Sequence, residues 1–446
     1  MSAPAATAYL LERAWVDGAV SDDVRVEIED GRFTAVLPEH EASSTAHPAD
    51  GVRLLRGLTL PGMANTHSHA FHRALRGRAQ QERGTFWTWR EQMYAVAGRL
   101  DPDSYFVLAR ALYREMLAAG MTSVGEFHYL HHQPDGTPYA DPNAMSHALV
   151  EAAREAGIRL TLLDTLYLSS GFGRPLQGVQ RRFGDGDVDS WVARVGALSA
   201  AAHVVHGAAL HSVRAVPTEA MPLVAERATG RPLHVHVSEQ SAENEACWAA
   251  SGRTPTQLLA DHDVLGPLTT AVHATHLTDD DIRLLAATRT YVGFCPTTER
   301  DLGDGIGPGS RLHDAEVRLT LGSDSHAVVD PFEEMRALEL DERLATRQRG
   351  HWAAAELLRM ATVDGHRSLG WDDAGEIAVG RRADLVTLDI GSLRTAGTGG
   401  DAYTAVFAAT AADVLHVVVD GEIVVRGPDR EQLGHDLGRA VGDLWE

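Results

Sequence analysis

The sequence predicts an α/β protein: a (β/α)8 TIM-type barrel with a small β-sandwich domain built from both chain termini. Three observations carry this expectation. Short apolar strands alternate with helical patterns through the middle of the 446-residue chain. Both ends carry the period-two texture of half-buried strands. Histidines and acidic residues gather where the central strands end, the rim on which barrel chemistry sits.

At the amino end, Val24-Arg25-Val26-Glu27-Ile28 alternates apolar and polar side chains and turns at Asp30-Gly31. The same texture returns in Asp384-Leu385-Val386-Thr387-Leu388 and in Leu415-His416-Val417-Val418-Val419-Asp420-Gly421. Residues 1–58 and 376–446 are therefore expected to form one composite domain around a barrel of residues 59–375. Barrel strands are expected near 58–66, 122–129, 158–166, 206–211, 233–239, 271–275, 290–295 and 317–323. Helical patterns fall between most of them, among them Ser104–Ala119, Asn143–Ala156, Ser190–Ala201 and Glu219–Ala228. Eight such alternations favour a closed barrel over an open doubly wound sheet. Segments 303–309 and 391–400 read as loops.

Composition narrows the function. The chain has 62 acidic and 40 basic residues, a net charge of −22, and none of the basic residues is lysine. A Schiff-base lysine, a phosphate-loop lysine and a carbamylated lysine bridging two metals are all excluded. The negative surplus repels phosphate backbones, so no nucleic-acid partner is expected. Two cysteines, Cys247 and Cys295, cannot build a disulfide framework and point to a reducing, cytoplasmic setting. Met1–Leu10 lacks a signal-peptide pattern, and no apolar run approaches about 18 residues, so no membrane is expected.

Strand one ends in His67-Ser68-His69, two imidazoles two residues apart and hence on one face. Strand five reads His234-Val235-His236-Val237-Ser238-Glu239; strand six carries His273; strand eight ends Gly322-Ser323-Asp324-Ser325-His326. Zinc takes imidazole nitrogen and carboxylate oxygen, and a catalytic site keeps one position for water. His67, His69, His236 and Asp324 are a sufficient set around a single metal. Plainer readings cover the rest. His234 is expected to be a satisfied core histidine, and His128, His131, His132 and His276 loop or supporting residues. His326 either touches substrate or supports Asp324. Asp279-Asp280-Asp281 reads as a helix N-terminus, and Cys295 as a small buried hydrophobe. Arg73, Arg76 and Arg78 read as structural or at the edge of the site.

Leu60-Pro61-Gly62-Met63 ahead of His67-x-His69, His236-x-x-Glu239, His273 and Asp324 together resemble the amidohydrolase superfamily, as does Gly375-Glu376-Ile377-Ala378-Val379-Gly380 with Ala383-Asp384-Leu385-Val386. More narrowly, the chain is similar over essentially its full length to the N-formimino-L-glutamate deiminase family. The carrying segments are His67–Phe71, Phe86-Trp87-Thr88-Trp89-Arg90, Gly125–Tyr129, Leu210-His211-Ser212-Val213-Arg214 and His236–Gln240.

That resemblance implies one zinc ion on His67, His69, His236 and Asp324, and chemistry by Glu239, His273 and Asp324. It implies that Arg90, Tyr129, His211 and Arg214 grip the two carboxylates of a small dicarboxylate, which suits the planar guanidinium fork. His72 stands where some family members carry a substrate-contacting glutamine. The implied reaction is zinc-dependent hydrolysis of N-formimino-L-glutamate to N-formyl-L-glutamate and ammonia in histidine degradation, activated water attacking the formimino carbon. A homodimer is implied as well. Two other readings are a nucleobase or amidine deaminase, to which paired arginines offer nothing, and an inactive scaffold, against which the intact ligand set speaks.

Overall fold

Two sheets divide the chain. The computed structural model describes residues 7–38, 51–80 and 84–445. Residues 1–6, 39–50 and 446, parts of the two expected segments of the small domain, and 81–83 lie outside the described residues, as do the side chains of Phe86, Trp87 and Pro428. The amino-terminal strands are β1 (Thr7–Val16), β2 (Ala19–Glu29), β3 (Arg32–Pro38) and β4 (Val52–Pro61). The barrel follows as β5 (Met63–Ser68), β6 (Met121–His128), β7 (Arg159–Leu166), β8 (Val204–Ser212), β9 (Leu233–Val237), β10 (Thr269–His273), β11 (Tyr291–Phe294) and β12 (Leu319–Leu321). The chain then returns as β13 (Leu385–Leu388), β14 (Val414–Val419) and β15 (Glu422–Arg426).

The terminal strands form one seven-stranded sheet in the order β15-β14-β13-β4-β1-β2-β3, antiparallel except between β1 and β4. Tyr9, Leu11, Val24, Val26, Ile28, Phe33, Leu385 and Val418 alternate along these strands and pack into a core separate from that of the barrel. This is the domain that the matching textures of the two ends predict. Its edge corrects one expectation. Residues 58–66 are not a single barrel strand: Leu58–Pro61 pair with β13, and the chain enters the barrel only after Gly62. A Cβ on Gly62 would stand 2.3 Å from Thr122 Oγ1, so glycine lets the chain pass between the sheets.

β5 to β12 pair in sequence order, all parallel, as eight strands joined by helical crossovers. The seam between β5 and β12 is closed by a parallel bridge between Ser68 and Asp324. Strands of this kind are buried on both faces, which is why β7 reads as the unbroken run Leu160-Thr161-Leu162-Leu163. The helices start where their caps dictate. Asp101 caps Pro102–Ala118, which turns Tyr105, Leu108, Leu112 and Met116 inward at spacings of three and four. Thr278 and Asp281 make a reciprocal capping box for Asp279–Thr288, so the acidic triplet is a helix N-terminus as expected. Arg73 and Arg76 both pair with Glu115, while Arg78 lies over Trp445.

Candidate functional site

The seam of the barrel brings the strand-end histidines together. The Asp324 amide donates to the His67 carbonyl at 2.9 Å and the His69 amide to the Asp324 carbonyl at 3.2 Å. A Cβ on Gly322 would stand 2.8 Å from the His67 nitrogen, so only glycine permits this approach. Five residues around the rim, Ser238, His273, Ala274, Asp324 and His326, adopt positive φ between 39° and 67°. Such strain in residues other than glycine gathers where surrounding structure holds functional groups in place.

Asp324 Oδ1 lies 3.3 Å from both His67 Nε2 and His69 Nε2. His236 Nε2 lies 3.1 Å from His67 Nε2. The far nitrogens of two rings are tied to carbonyls: His69 Nδ1 donates to Phe127 O and His236 Nδ1 to His211 O, each at 2.9 Å. A carbonyl only accepts, so both rings must turn an Nε2 lone pair toward the centre. Acceptors facing a carboxylate and one another form a set that a divalent cation resolves, and three imidazoles with one carboxylate suit a borderline-soft metal. Burial reinforces this. It drives the His67 pKa down to about 3 despite Asp324, and lowers those of His69 and His236 as well. Burial alone would raise Asp324, but His67 and His69 hold it well below the usual carboxylate range. Neutral rings and an ionised carboxylate are the forms that bind metal.

Glu239 and His273 stand beside this cluster. His273 Nδ1 meets Glu299 Oε1 at 3.3 Å, and its Nε2 is 3.9 Å from Glu239 Oε1. Burial pulls the imidazolium down, yet Glu239, Glu299 and Asp324 outweigh it and lift the pKa to about 10. Burial raises the Glu239 carboxyl against the opposing pull of His273.

Of the sequence-predicted residues, His69, His72, Arg90, Tyr129, His211, Arg214, His236, Glu239, His273 and Asp324 all line one cavity of about 60 Å³. His67 sits behind it, against His69 and Asp324. The Tyr129 hydroxyl bonds His72 Nε2 at 3.1 Å, and Arg214 Nε lies 4.0 Å from Glu243 Oε1. His326 takes the supporting role: its two nitrogens meet Ser68 and Ser323 hydroxyls at 3.2 and 2.9 Å. His234 is buried and bonds the Ser368 carbonyl.

Sequence reasoning placed Trp89 in a carrying segment without a role in the site and missed Tyr94, Tyr167 and Phe183; the four supply the aromatic walls. It also missed Glu126, whose carboxylate takes the Ser68 hydroxyl at 2.7 Å and the Ala70 amide at 2.6 Å and so clamps the His67-x-His69 turn. The Gly125–Tyr129 segment was the available signal. A second group of buried ligand types, His128, His131 and Asp164, lies beyond this site, but Asp164 there is already engaged by Arg194.

The Amidohydrolase family matches residues 58–424. The chain belongs to this family. It is 40% identical to the formimidoylglutamate deiminase of Pseudomonas aeruginosa, over 94% of this chain and 95% of that protein. A solved amidohydrolase from Brucella melitensis superposes with a TM-score of 0.89 at 33% identity, covering 99% of this chain and 100% of that one. An adenosine deaminase from Xanthomonas campestris, solved with bound zinc, has the same fold at a TM-score of 0.84 and 24% identity, covering 100% and 99%. As an amidohydrolase of this kind the protein is a hydrolase acting on C–N bonds, with a cluster of side chains able to hold a metal. Among the described residues no helix is long and apolar enough to cross a membrane.

Proposed function

We propose that the protein hydrolyses the formimino group of N-formimino-L-glutamate, giving N-formyl-L-glutamate and ammonia as a step of histidine breakdown, with one zinc ion held by His67, His69, His236 and Asp324. The observation that carries this reading is the pairing, on one cavity wall, of a metal-capable cluster with two guanidinium groups, Arg90 and Arg214. A neutral nucleobase gives two arginines nothing to neutralise, whereas a dicarboxylate requires them in a chain of charge −22.

Bound zinc would lower the pKa of a water toward about 7 and so supply a nucleophile at neutral pH. Asp324, held ionised by its imidazole neighbours, accepts the first proton from the attacking water. Glu239, whose carboxyl burial biases toward protonation, gives a proton to the imine nitrogen as the new C–O bond forms. Glu239 then takes the proton that leaves the hydroxyl of the tetrahedral carbon and passes it to the nitrogen as the C–N bond breaks and ammonia leaves, and the proton held by Asp324 returns to Glu239 to restore the starting forms. His273 hydrogen-bonds the oxygen on which charge develops, a contribution of about 10²–10³ in rate for one such donor. Arg90, Arg214, Tyr129 and His211 hold the carboxylates, and His72 steadies Tyr129. The family resemblance extends the proposal to a cytoplasmic homodimer, which sedimentation velocity checks.

Ammonia release by zinc-loaded protein tests the assignment, with N-formimino-L-aspartate and guanine as comparators. The expected result is release from the glutamate compound alone, reduced about 10²–10⁴-fold in Glu239→Gln. No release from metal-replete protein overturns the substrate.

A further inference from the structure

The site has two chambers of different size. The inner cavity, of about 60 Å³, is lined by the metal-capable cluster and is the smaller of the two. A second cavity of about 550 Å³ shares Arg90, Arg214 and Glu239 with it, so the two adjoin across these side chains. A substrate whose reacting end meets the metal-capable cluster has the outer chamber beside it for its tail.

That outer chamber carries a third arginine that the sequence reading did not single out, Arg174. It sits at a tight bridge after β7. The Ser170 amide donates to the Arg174 carbonyl and the Arg174 amide to the Gly171 carbonyl, both at 3.0 Å. The Arg174 side chain runs past Gly171, its Cδ 3.8 Å from where a Cβ on that glycine would stand. Among the described residues no side chain ion-pairs with the Arg174 guanidinium, whereas Arg214 already faces Glu243. The chamber wall also includes the carboxyls of Glu239 and Glu243. Three guanidinium groups outnumber them, in a chain whose overall charge repels anions.

We infer that Arg174 is a third anion-binding residue, which with Arg90 and Arg214 makes the outer chamber a receiving site for the distal carboxylate of a dicarboxylate. It draws the dianion in and holds its tail while the reacting end enters the inner cavity. The inference rests on the substrate class proposed above, and the test separates the two.

The probe is glutarate, a dicarboxylate without a reacting group, bound to zinc-loaded protein and followed by calorimetry at several salt concentrations. Arg174→Gln is expected to weaken binding about tenfold and to flatten its salt dependence, and Arg174→Lys to recover part of the loss. Arg231→Gln makes the same charge change on the exposed loop before β9, at the opposite end of the barrel, and is expected to bind as wild type does. In turnover the Arg174→Gln loss is expected in KM, with kcat within about twofold. Three outcomes overturn the inference: glutarate failing to bind wild type, Arg174→Gln binding it equally well, or Arg231→Gln losing as much. Glutarate binding that depends on Arg174, with no ammonia released from N-formimino-L-glutamate, would keep the anion site and sink the proposed reaction instead.

Discussion

His67, His69 and Asp324 at the barrel seam, and His128, His131 and Asp164 at the ends of β6 and β7, are built from the same residue types. Both groups are buried, with ligand atoms within 4.8 Å of one another. They differ in what answers the carboxylate. Asp324 faces imidazole nitrogens, at least one of them a lone pair. Asp164 takes two hydrogen bonds from Arg194 at 2.7 and 2.8 Å and one from Trp191 Nε1 at 3.1 Å. Arg194 reaches on to Asp185, which also meets His132 at 3.2 Å. The second cluster carries its positive charge as a guanidinium, whereas the seam carboxylate faces imidazole nitrogens able to hold a metal. Ligand-type residues in proximity therefore do not by themselves make a metal-capable set; a carboxylate among imidazole lone pairs, without a guanidinium on it, does.

Exchanging carboxylate for amide at the two aspartates breaks this comparison most sharply. Asp324→Asn removes a donor from the set and the acceptor of the first proton. Turnover is expected to fall by about 10³-fold or more, and metal content measured by mass spectrometry to drop below that of wild type. Asp164→Asn is expected to leave metal content at the wild-type level. Metal lost from Asp164→Asn and kept by Asp324→Asn would reverse the roles assigned to the clusters.

Arg194→Gln reads the second cluster through stability. It leaves Asp164 and Asp185 buried without their cation, at a cost of about 3–5 kcal/mol in denaturant unfolding, with metal content retained. The pH dependence has a definite sign. Burial would raise the Asp164 carboxyl, but Arg194 and His131 bring it down to about 2, below its ordinary 3.8. A group depressed on folding stabilises above its unfolded pKa and loses that contribution as pH falls through the folded value. Wild type is thus expected to lose about 2 kcal/mol between pH 4 and pH 2 from this group. In Arg194→Gln the unpaired carboxyl gains nothing from ionisation, so its stability should hold or rise on acidification. Parallel acid curves for the two proteins would show that the pair does not set the response.

The contrast also explains what could be read beforehand. His67, His69, His236 and Asp324 were legible because each closes a strand, and a barrel delivers strand ends to one rim. The barrel strands were legible because parallel strands buried on both faces are apolar runs. What escaped depends on partners far away in the chain. Arg194 reaches Asp164 from a helix 30 residues later, and Glu299 reaches His273 from 26 residues on. The split of residues 58–66 is decided by pairing with β13, more than 300 residues downstream, whose pull on Leu58–Pro61 leaves no local mark except Gly62. Arg174 looks like any exposed loop arginine until the cavity beside it is drawn.

The smallest expected effect falls at His72, where the related family resemblance anticipates glutamine. Burial holds its imidazole well below the usual pKa, so the ring is neutral and offers one donor and one acceptor. Its Nε2 meets the Tyr129 hydroxyl at 3.1 Å, and its ring packs 4.4 Å from Phe71 and 4.6 Å from His69, centre to centre. A glutamine amide also donates and accepts, so His72→Gln is expected to change KM by no more than about threefold. His72→Leu keeps the bulk but leaves the buried Tyr129 hydroxyl unpaired, worth about 1–2 kcal/mol and so roughly 5–30-fold in KM. Steady-state kinetics on the two variants separates hydrogen bonding from shape. Equal losses in both would mean that the ring itself shapes the pocket, and that the neutral hydrogen bond to Tyr129 is incidental to binding.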